Sequence, residues 1–235
     1  MNINTVSDLL SGNAYPGRGI LIGLTPDGKK AVAAYFIMGR SPNSRNRIFA
    51  EENGTLRTQP YDASKVQDPS LIIYTAIRSH GRNLIVTNGD QTDTVFEGLE
   101  QGVSFDAALA QRCFEPDGPN WTPRISGLLT FDNGFSYKMS ILKAGDAAGT
   151  VCSRYGFHYE PLPGLGHLIH TYECDGNPLP AFRGEPRPVA VGDDIDAFTA
   201  ELWQALNEEN KISLYVRYTD ITTGEASSRL VNKYT

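Results

Sequence analysis

Gly19-Ile20-Leu21-Ile22-Gly23-Leu24, followed by Pro26-Asp27-Gly28 and then by Ala31-Val32-Ala33-Ala34-Tyr35-Phe36-Ile37-Met38, is the stretch that decides the architecture. Two apolar runs flank a Pro-Asp-Gly turn, which is the pattern of an antiparallel hairpin. The same grammar recurs along the chain. Residues 47–51 and 55–59 flank Asn53-Gly54, and 72–79 and 83–87 are joined through Gly81. Residues 124–131 and 135–142 surround Asp132-Asn133-Gly134, and 211–218 and 227–234 surround Thr223-Gly224. Further strands are expected near 150–155 and 167–172.

Helical spacing interrupts these hairpins in two places. Residues 94–99 and 104–113 carry apolar side chains three and four apart, with Thr94 and Glu97 resembling a capping box. Residues 193–207 give the clearest helix, capped by Asp193 or Asp194, with Ile195, Phe198, Leu202, Ala205 and Leu206 on one face. Between them, Pro178, Pro180, Pro186 and Pro188 make 178–188 a surface connection that could sit beside a pocket. No repeat, low-complexity tract or linker divides residues 1–235, so one domain is expected. The fold class is α+β, with two antiparallel sheets packed face to face and helices outside.

The 235 residues carry 21 Lys and Arg against 27 Asp and Glu, a formal charge of −6, and no basic block. Broad nucleic-acid binding is therefore not expected. With 40% hydrophobic and 20% charged residues the chain can build a core and is not a disordered tail. No run reaches the roughly 20 apolar residues of a membrane span. Residues 1–10 lack the basic start of a secretory signal. Cys113, Cys152 and Cys174 are odd in number and far apart, which suits reduced thiols and a cytoplasmic setting.

Several segments could carry chemistry. Residues 39–47 place Arg40, Arg45 and Arg47 among Ser41, Asn43, Ser44 and Asn46 directly after an apolar strand. Guanidinium forks match phosphate oxygens, although a solvated turn explains the composition as well. Residues 88–94 lie between a strand and a helix, so N–H groups and Thr hydroxyls could face an anion or a polar heterocycle; plain helix capping is the competing explanation. Tyr74, inside the apolar run 71–78, is either a core phenol or an acid/base group. Glu115 precedes Pro116-Asp117-Gly118, and Asn120-Trp121-Thr122-Pro123-Arg124 then leads into a strand. His167, His170 and Cys174 invite a zinc reading, but residues three apart on a strand face opposite sides, so no metal site is assigned. Nucleophile-elbow, P-loop and dinucleotide fingerprints are missing from the sequence.

Taken together, Tyr15-Pro16-Gly17-Arg18-Gly19, residues 39–45, Asp68-Pro69 with Tyr74, Ile77 and Arg78, Thr87-Asn88-Gly89 with Thr92-Asp93-Thr94, and Thr122-Pro123-Arg124 resemble the archaeal-type inosine monophosphate (IMP) cyclohydrolase family. The ordered blocks cover residues 15 to about 130, with little to match beyond 145. The resemblance implies a fold like that of N-terminal-nucleophile hydrolases, a four-layer αββα sandwich. Met1-Asn2 offers no Cys, Ser or Thr as a terminal nucleophile, which disfavours an amide hydrolase.

The implied reaction is ring closure of 5-formamidoimidazole-4-carboxamide ribonucleotide to IMP with loss of water, the last step of purine synthesis, using no metal or organic cofactor. By position, Tyr74, Glu115 and Arg45 match the family's active-site tyrosine, glutamate and arginine. Tyr74 would donate to the formyl oxygen and the departing hydroxyl, Glu115 would take the carboxamide proton, and Arg45 would tune the phenol. Arg18, Arg40, Arg47 and Arg124 are candidates for phosphate and base positioning, with Asn88 and Thr92 as hydrogen-bonders to the heterocycle. Asp90-Gln91 stands where the archaeal type tends to have a histidine. The C-terminal third is expected to cover the pocket or to form a contact in a homo-oligomer. Two other readings are a non-catalytic purine-nucleotide sensor and an amide hydrolase on a nucleotide-like substrate.

Overall fold

The hairpin quoted first forms as β1 (Arg18–Leu24) and β2 (Lys30–Met38). The computed structural model describes residues 3–66, 69 and 71–234. Met1, Asn2 and Asp68, on which parts of the reading above fall, lie outside the described residues. Between β1 and β2, the Thr25 hydroxyl donates to Asp27 at 2.7 Å and Gly28 takes a φ of +71°, a value that favours glycine. Along both strands, Ile20, Ile22, Ala33, Tyr35 and Ile37 face one core while Leu21, Val32, Ala34, Phe36 and Met38 face another. Burial on both faces is why these runs are apolar throughout instead of alternating.

The remaining elements follow in order. They are α1 (Val6–Leu10), α2 (Pro42–Arg45), β3 (Arg47–Glu52), β4 (Thr55–Pro60), β5 (Thr75–His80), β6 (Asn83–Thr87), α3 (Gln91–Glu100) and α4 (Phe105–Leu109). After them come β7 (Arg124–Thr130), β8 (Ser136–Ala144), β9 (Cys152–Tyr159), β10 (Leu165–His170), β11 (Arg187–Ala190), α5 (Ile195–Ala205), β12 (Lys211–Asp220) and β13 (Ala226–Asn232). The strands make two antiparallel sheets, a six-stranded one ordered β11-β10-β1-β2-β12-β13 and a seven-stranded one ordered β3-β4-β5-β6-β7-β8-β9. This is the expected α+β architecture.

Three apolar clusters define the layers. Ile20, Tyr35, Phe49, Tyr137, Ile141 and Tyr215 pack between the sheets. Val6 and Leu10 of α1, with Phe198 and Leu202 of α5, cover the outer face of the six-stranded sheet. Burying Phe198 and Leu202 contributes about 1.5–3 kcal/mol each. Val95 of α3 with Phe105 and Leu109 of α4 cover Ile85 and Leu128 on the other sheet. The order is helices, sheet, sheet, helices.

Local departures from expectation have local causes. Helix α3 starts at Gln91 with Asp90 at its N-cap, so Thr94 lies inside the helix and forms no capping box. The Asp90 carboxylate does not cap, because Arg112 and Arg124 hold it. Ser104 caps α4, which stops at Leu109. Strand β5 begins only at Thr75, since the Ile72 and Ile73 N–H groups turn back to the Pro69 carbonyl. Arg187 and Pro188, read as connection, pair with β10 in β11, an edge strand where proline is tolerated. Among the described residues no helix is long and apolar enough to cross a membrane.

The two histidines of β10 point opposite ways. His167 lies between the sheets, its Nδ1 2.7 Å from the Tyr137 hydroxyl and its ring stacked 3.7 Å from that of Tyr159. His170 packs edge-on to Phe182 at 4.6 Å, with Nδ1 2.8 Å from the Tyr172 carbonyl. Burial pulls both imidazoles down to about 4 from an ordinary 6.5. Between those values the unfolded chain binds more protons than the folded one, so the neutral rings stabilise the fold fully above pH 6.5 and progressively less as pH falls through 4. Imidazole proton shifts followed by NMR should show neither His167 nor His170 charging near pH 6.5; titration of either ring at that pH would contradict this burial.

Candidate active site

A cavity of about 370 Å³ opens where the start of β1, the α2 loop and the connection after α4 meet. Its wall includes Tyr15, Arg18, Arg40, Arg47, Glu115 and Tyr172. Arg18 enters from the six-stranded sheet and Glu115 from the connection leading into the seven-stranded one. The Arg18 guanidinium grips Glu115 with both nitrogens, Nη1 to Oε1 at 2.9 Å and Nη2 to Oε2 at 3.0 Å, and Nη1 also donates to the Asn88 carbonyl at 2.9 Å. Arg18 is 8% and Glu115 3% exposed, so the pair is almost fully desolvated.

Glycines make this approach possible. A Cβ on Gly17, whose φ is +79°, would lie 2.2 Å from the Thr171 hydroxyl, and one on Gly19 would lie 2.2 Å from the Phe36 ring. A Cβ on Gly89 would meet Arg124 Nη1 at 2.6 Å and stand 3.6 Å from Glu115 Oε1. Burial pushes the Glu115 carboxyl above its ordinary range, with the Arg18 fork opposing. A carboxyl so placed can hold or release a proton nearer neutrality than an exposed one.

Among the described residues, Arg47 is the cation of this wall with no acidic partner. It is 3% exposed, donates from Nε to the Ser44 carbonyl at 2.8 Å and from Nη2 to the Met38 carbonyl at 3.0 Å. Among the described residues no carboxylate pairs with it. Arg40, by contrast, is held by Asp175 and stacks over the Tyr15 ring at 4.9 Å. Asn43, also on the wall, has a buried Oδ1 that meets no hydrogen-bond donor among the described residues.

Asp117, Asn120 and Thr122 also line the cavity, with Tyr172 and Leu179. The Tyr172 hydroxyl lies 2.5 Å from the Thr122 hydroxyl, which donates to Asp117 Oδ2, while the Thr122 N–H donates to Asp117 Oδ1 at 2.6 Å. Burial raises the Tyr172 phenol well above its ordinary value. The proline-containing segment after β10 thus does border the pocket, through Leu179.

Of the residues singled out from sequence, the structure brings Arg18, Arg40, Arg47 and Glu115 to the cavity wall. The others are not among its lining residues, although Asn88 meets Arg18 through its carbonyl. Tyr74 is 7% exposed and packs in the core between the sheets, its hydroxyl 2.7 Å from that of Tyr35. It is close enough to Arg18 to strengthen that guanidinium's hold on its proton. Arg45 turns away, to the Gly39 carbonyl at 3.1 Å, Glu209 at 3.2 Å and Asn210 at 3.0 Å. Asn88 is spent on Pro123, Gln91 and the Ile125 N–H, and Thr92 on the Thr87 hydroxyl and the Gly89 carbonyl. Arg124 is held by Asp90 at 2.6 Å and by Gln91 at 2.7 Å, the two residues noted where the archaeal type tends to have histidine.

Sequence reasoning missed Tyr15, Asp117, Asn120, Thr122, Tyr172 and Leu179 as wall residues. Tyr15 and Thr122 stood inside quoted blocks, whereas nothing local marks Tyr172. Among the described residues no group of three or more His, Cys, Asp or Glu gathers as metal ligands.

A family model described as IMP cyclohydrolase-like protein matches residues 15–225. The chain belongs to that family. The match runs well past the point near residue 145 where the block-by-block resemblance ended, and so takes in Tyr172 and Leu179. A relative from Methanopyrus kandleri, named IMP cyclohydrolase, is 33% identical over 185 residues, 72% of this chain and 89% of that protein. One of the same name from Methanococcus aeolicus is 28% identical over 68% of this chain and 75% of its own length. Another from Methanocaldococcus jannaschii is 32% identical over 49% of this chain and 56% of its own.

Removing one member of a buried ion pair strands the other. Arg18→Met should therefore lower the free energy of unfolding by about 3–5 kcal/mol, read by urea denaturation at pH 7. A loss of under about 1 kcal/mol would mean that water reaches the pair.

Proposed function

We propose that this protein is an IMP cyclohydrolase, closing 5-formamidoimidazole-4-carboxamide ribonucleotide to IMP with release of water. One observation carries the reading in a chain of this family. A buried guanidinium that meets no carboxylate among the described residues, Arg47, shares a cavity with the buried Arg18–Glu115 pair. A phosphate supplies the charge that Arg47 lacks, and Arg40, Ser41 and Ser44 surround the same end. The Asn43 Oδ1 then accepts from a donor on the ligand.

The chemistry asks for little beyond placement and proton traffic. The carboxamide nitrogen attacks the formyl carbon and passes a proton to the formyl oxygen, giving a carbinolamine. Loss of its hydroxyl as water leaves the new ring. Holding both arms in one cavity converts the attack into a positioned intramolecular step. Glu115, with a carboxyl raised by burial, takes the proton from the carboxamide nitrogen directly or through a water. Arg18, which fixes Glu115, also offsets charge that develops on the formyl oxygen.

Tyr74 remains the proposed proton donor to that oxygen. Burial keeps the Tyr35 phenol far above its ordinary value, so Tyr35 stays protonated and its hydroxyl can donate to Tyr74. The proton of Tyr74 is then free for another acceptor. In this scheme Arg18 replaces Arg45 as the cation beside the phenol, and Arg45 holds α2 in place through Glu209 and Asn210. The reading extends to a single domain over residues 1–235 and to the cytoplasm, where purine synthesis and free thiols fit together.

The assay follows formation of the hypoxanthine chromophore from the formamido ribonucleotide. Tyr74→Phe and Glu115→Gln are each expected to lose roughly 10²-fold or more in kcat, and full rates in both variants would remove their roles. Arg47→Met should raise KM roughly 10- to 100-fold with a smaller change in kcat, as loss of a charge-assisted phosphate contact requires. Tight IMP binding with no turnover would favour the sensor reading.

A further inference from the structure

Asp117, Asn120, Thr122 and Tyr172 line the cavity but take no part in the reaction proposed above. Their hydrogen bonds have a fixed direction. A carboxylate only accepts, and Asp117 takes the Thr122 N–H at Oδ1, 2.6 Å away, and the one Thr122 hydroxyl proton at Oδ2. With that proton spent, the Thr122 oxygen can meet the Tyr172 hydroxyl, 2.5 Å away, only as an acceptor. Tyr172 therefore gives its own proton to Thr122, and burial keeps that proton on the phenol. The Tyr172 oxygen is left able to accept from a ligand and with nothing to donate to it.

Asn120 supplies the complement. Its Oδ1 accepts the Leu179 N–H at 3.0 Å, which fixes the amide and leaves Nδ2 as the donor. Among the described residues that Nδ2 meets no acceptor, and no cation pairs with Asp117. These groups are held in place. The Asn120 N–H donates to the Asp117 carbonyl at 3.2 Å and the Glu115 N–H to the Thr122 carbonyl at 2.9 Å, which folds 115–122 onto itself. Trp121 within it sits at a φ of +45°, supported by Nε1 donating to the Ala147 carbonyl at 3.1 Å and by an edge-on contact with Phe114 at 5.7 Å. Tyr172 is 5% exposed, its ring stacked on that of Tyr15 at 5.8 Å, and a Cβ on Gly17 would lie 2.6 Å from it.

We propose that Tyr172, Asp117 and Asn120 form a subsite for the vicinal diol of a ribose, in which Tyr172 Oη and the Asp117 carboxylate accept from the sugar hydroxyls and Asn120 Nδ2 donates to them. The proposal rests on the cyclohydrolase reading and gives the sugar of the ribotide its place in the cavity. A sugar hydroxyl donates and accepts at once, which matches two acceptors beside one donor. A phosphate brings acceptors and negative charge, and here it would meet a carboxylate and a phenol whose proton is spent. Thr122 acts through Tyr172, as the positioning residue that sets which way the phenol proton points.

The test measures, by isothermal titration calorimetry, the affinity of the native protein for IMP and for its 2′-deoxy and 3′-deoxy forms. At least one deoxy form should bind roughly 10- to 100-fold more weakly than IMP, because its loss leaves buried polar groups without a partner. Thr122→Ser, which keeps the hydroxyl, should keep that ratio. In Asp117→Asn the amide nitrogen donates to Thr122, so the hydroxyl protons turn round and Tyr172 offers a donor where the diol needs an acceptor. Both Asp117→Asn and Tyr172→Phe should lower the ratio at least about five-fold. Equal affinities of the native protein for all three ligands would overturn the subsite, a comparison that needs no variant to fold. An unchanged ratio in both Asp117→Asn and Tyr172→Phe would overturn the assignment to these residues. Turnover of the formamido ribonucleotide with equal affinities would leave the reaction standing and the subsite refuted. If IMP itself fails to bind, ribose 5-phosphate is compared with its 2-deoxy and 3-deoxy forms by chemical-shift titration. A preference there would uphold the subsite while the cyclohydrolase reading falls, and no preference would overturn both.

Discussion

The forked contact between Arg18 and Glu115 is the constraint on which the site depends, because it joins the two sheets through a pair of charges with almost no access to water. Such a pair is not a net source of stability. Desolvating both groups costs about as much as their attraction returns, and apolar substitutes of equal volume often stabilise more. What the pair provides is position. Once Glu115 is buried, only Arg18 reaching across from β1 satisfies both its oxygens, and Arg18 reaches there only because glycine stands on either side of it. Gly89 serves the same end from the other side, keeping backbone bulk away from Arg124 and Glu115.

The charge balance follows from that geometry. A chain with a net charge of −6 concentrates Arg18, Arg40 and Arg47 on one cavity wall. Two of them are neutralised within the protein, Arg18 by Glu115 and Arg40 by Asp175. Among the described residues Arg47 meets backbone carbonyls, which accept its hydrogen bonds without cancelling its charge. A buried cation left in that state is costly until an anion arrives, so part of the ligand's binding energy is relief of a cost already present in the empty protein. The net charge of −6 does not assist approach of an anion, which places the burden of recognition on contacts inside the cavity.

Strand pairing was legible because turn chemistry is local. Asn53 and Gly54 both take positive φ, as a two-residue hairpin turn demands, and the dipeptide announces it. Arg40 and Arg47 were legible as site residues because a guanidinium-rich loop follows an apolar strand, whereas Arg18 and Glu115 came through the resemblance of their blocks to the family. Arg45, Asn88, Thr92 and Arg124 show the limit of that logic. Their side chains are consumed by neighbours that are remote in sequence or that sequence leaves open, such as Asn210 for Arg45 and Pro123 for Asn88. Spacing along a chain states which donors are available, but not which acceptors the fold will bring to them.

Tyr172 makes the same point from the opposite direction. It follows β10, which lies beside β1, and this neighbourhood alone delivers its ring to Tyr15 and its hydroxyl to Thr122. The chain from Tyr172 through Thr122 to Asp117 therefore links the six-stranded sheet to the connection that carries Glu115. Because β10 is inserted next to β1 from more than a hundred residues away, the wall cannot be complete until the C-terminal third has docked. The cavity is thus a product of long-range contacts, built from residues near 15–47, 71–72, 115–122 and 172–179. That is why the short sequence blocks identify its cationic end and remain silent about the rest.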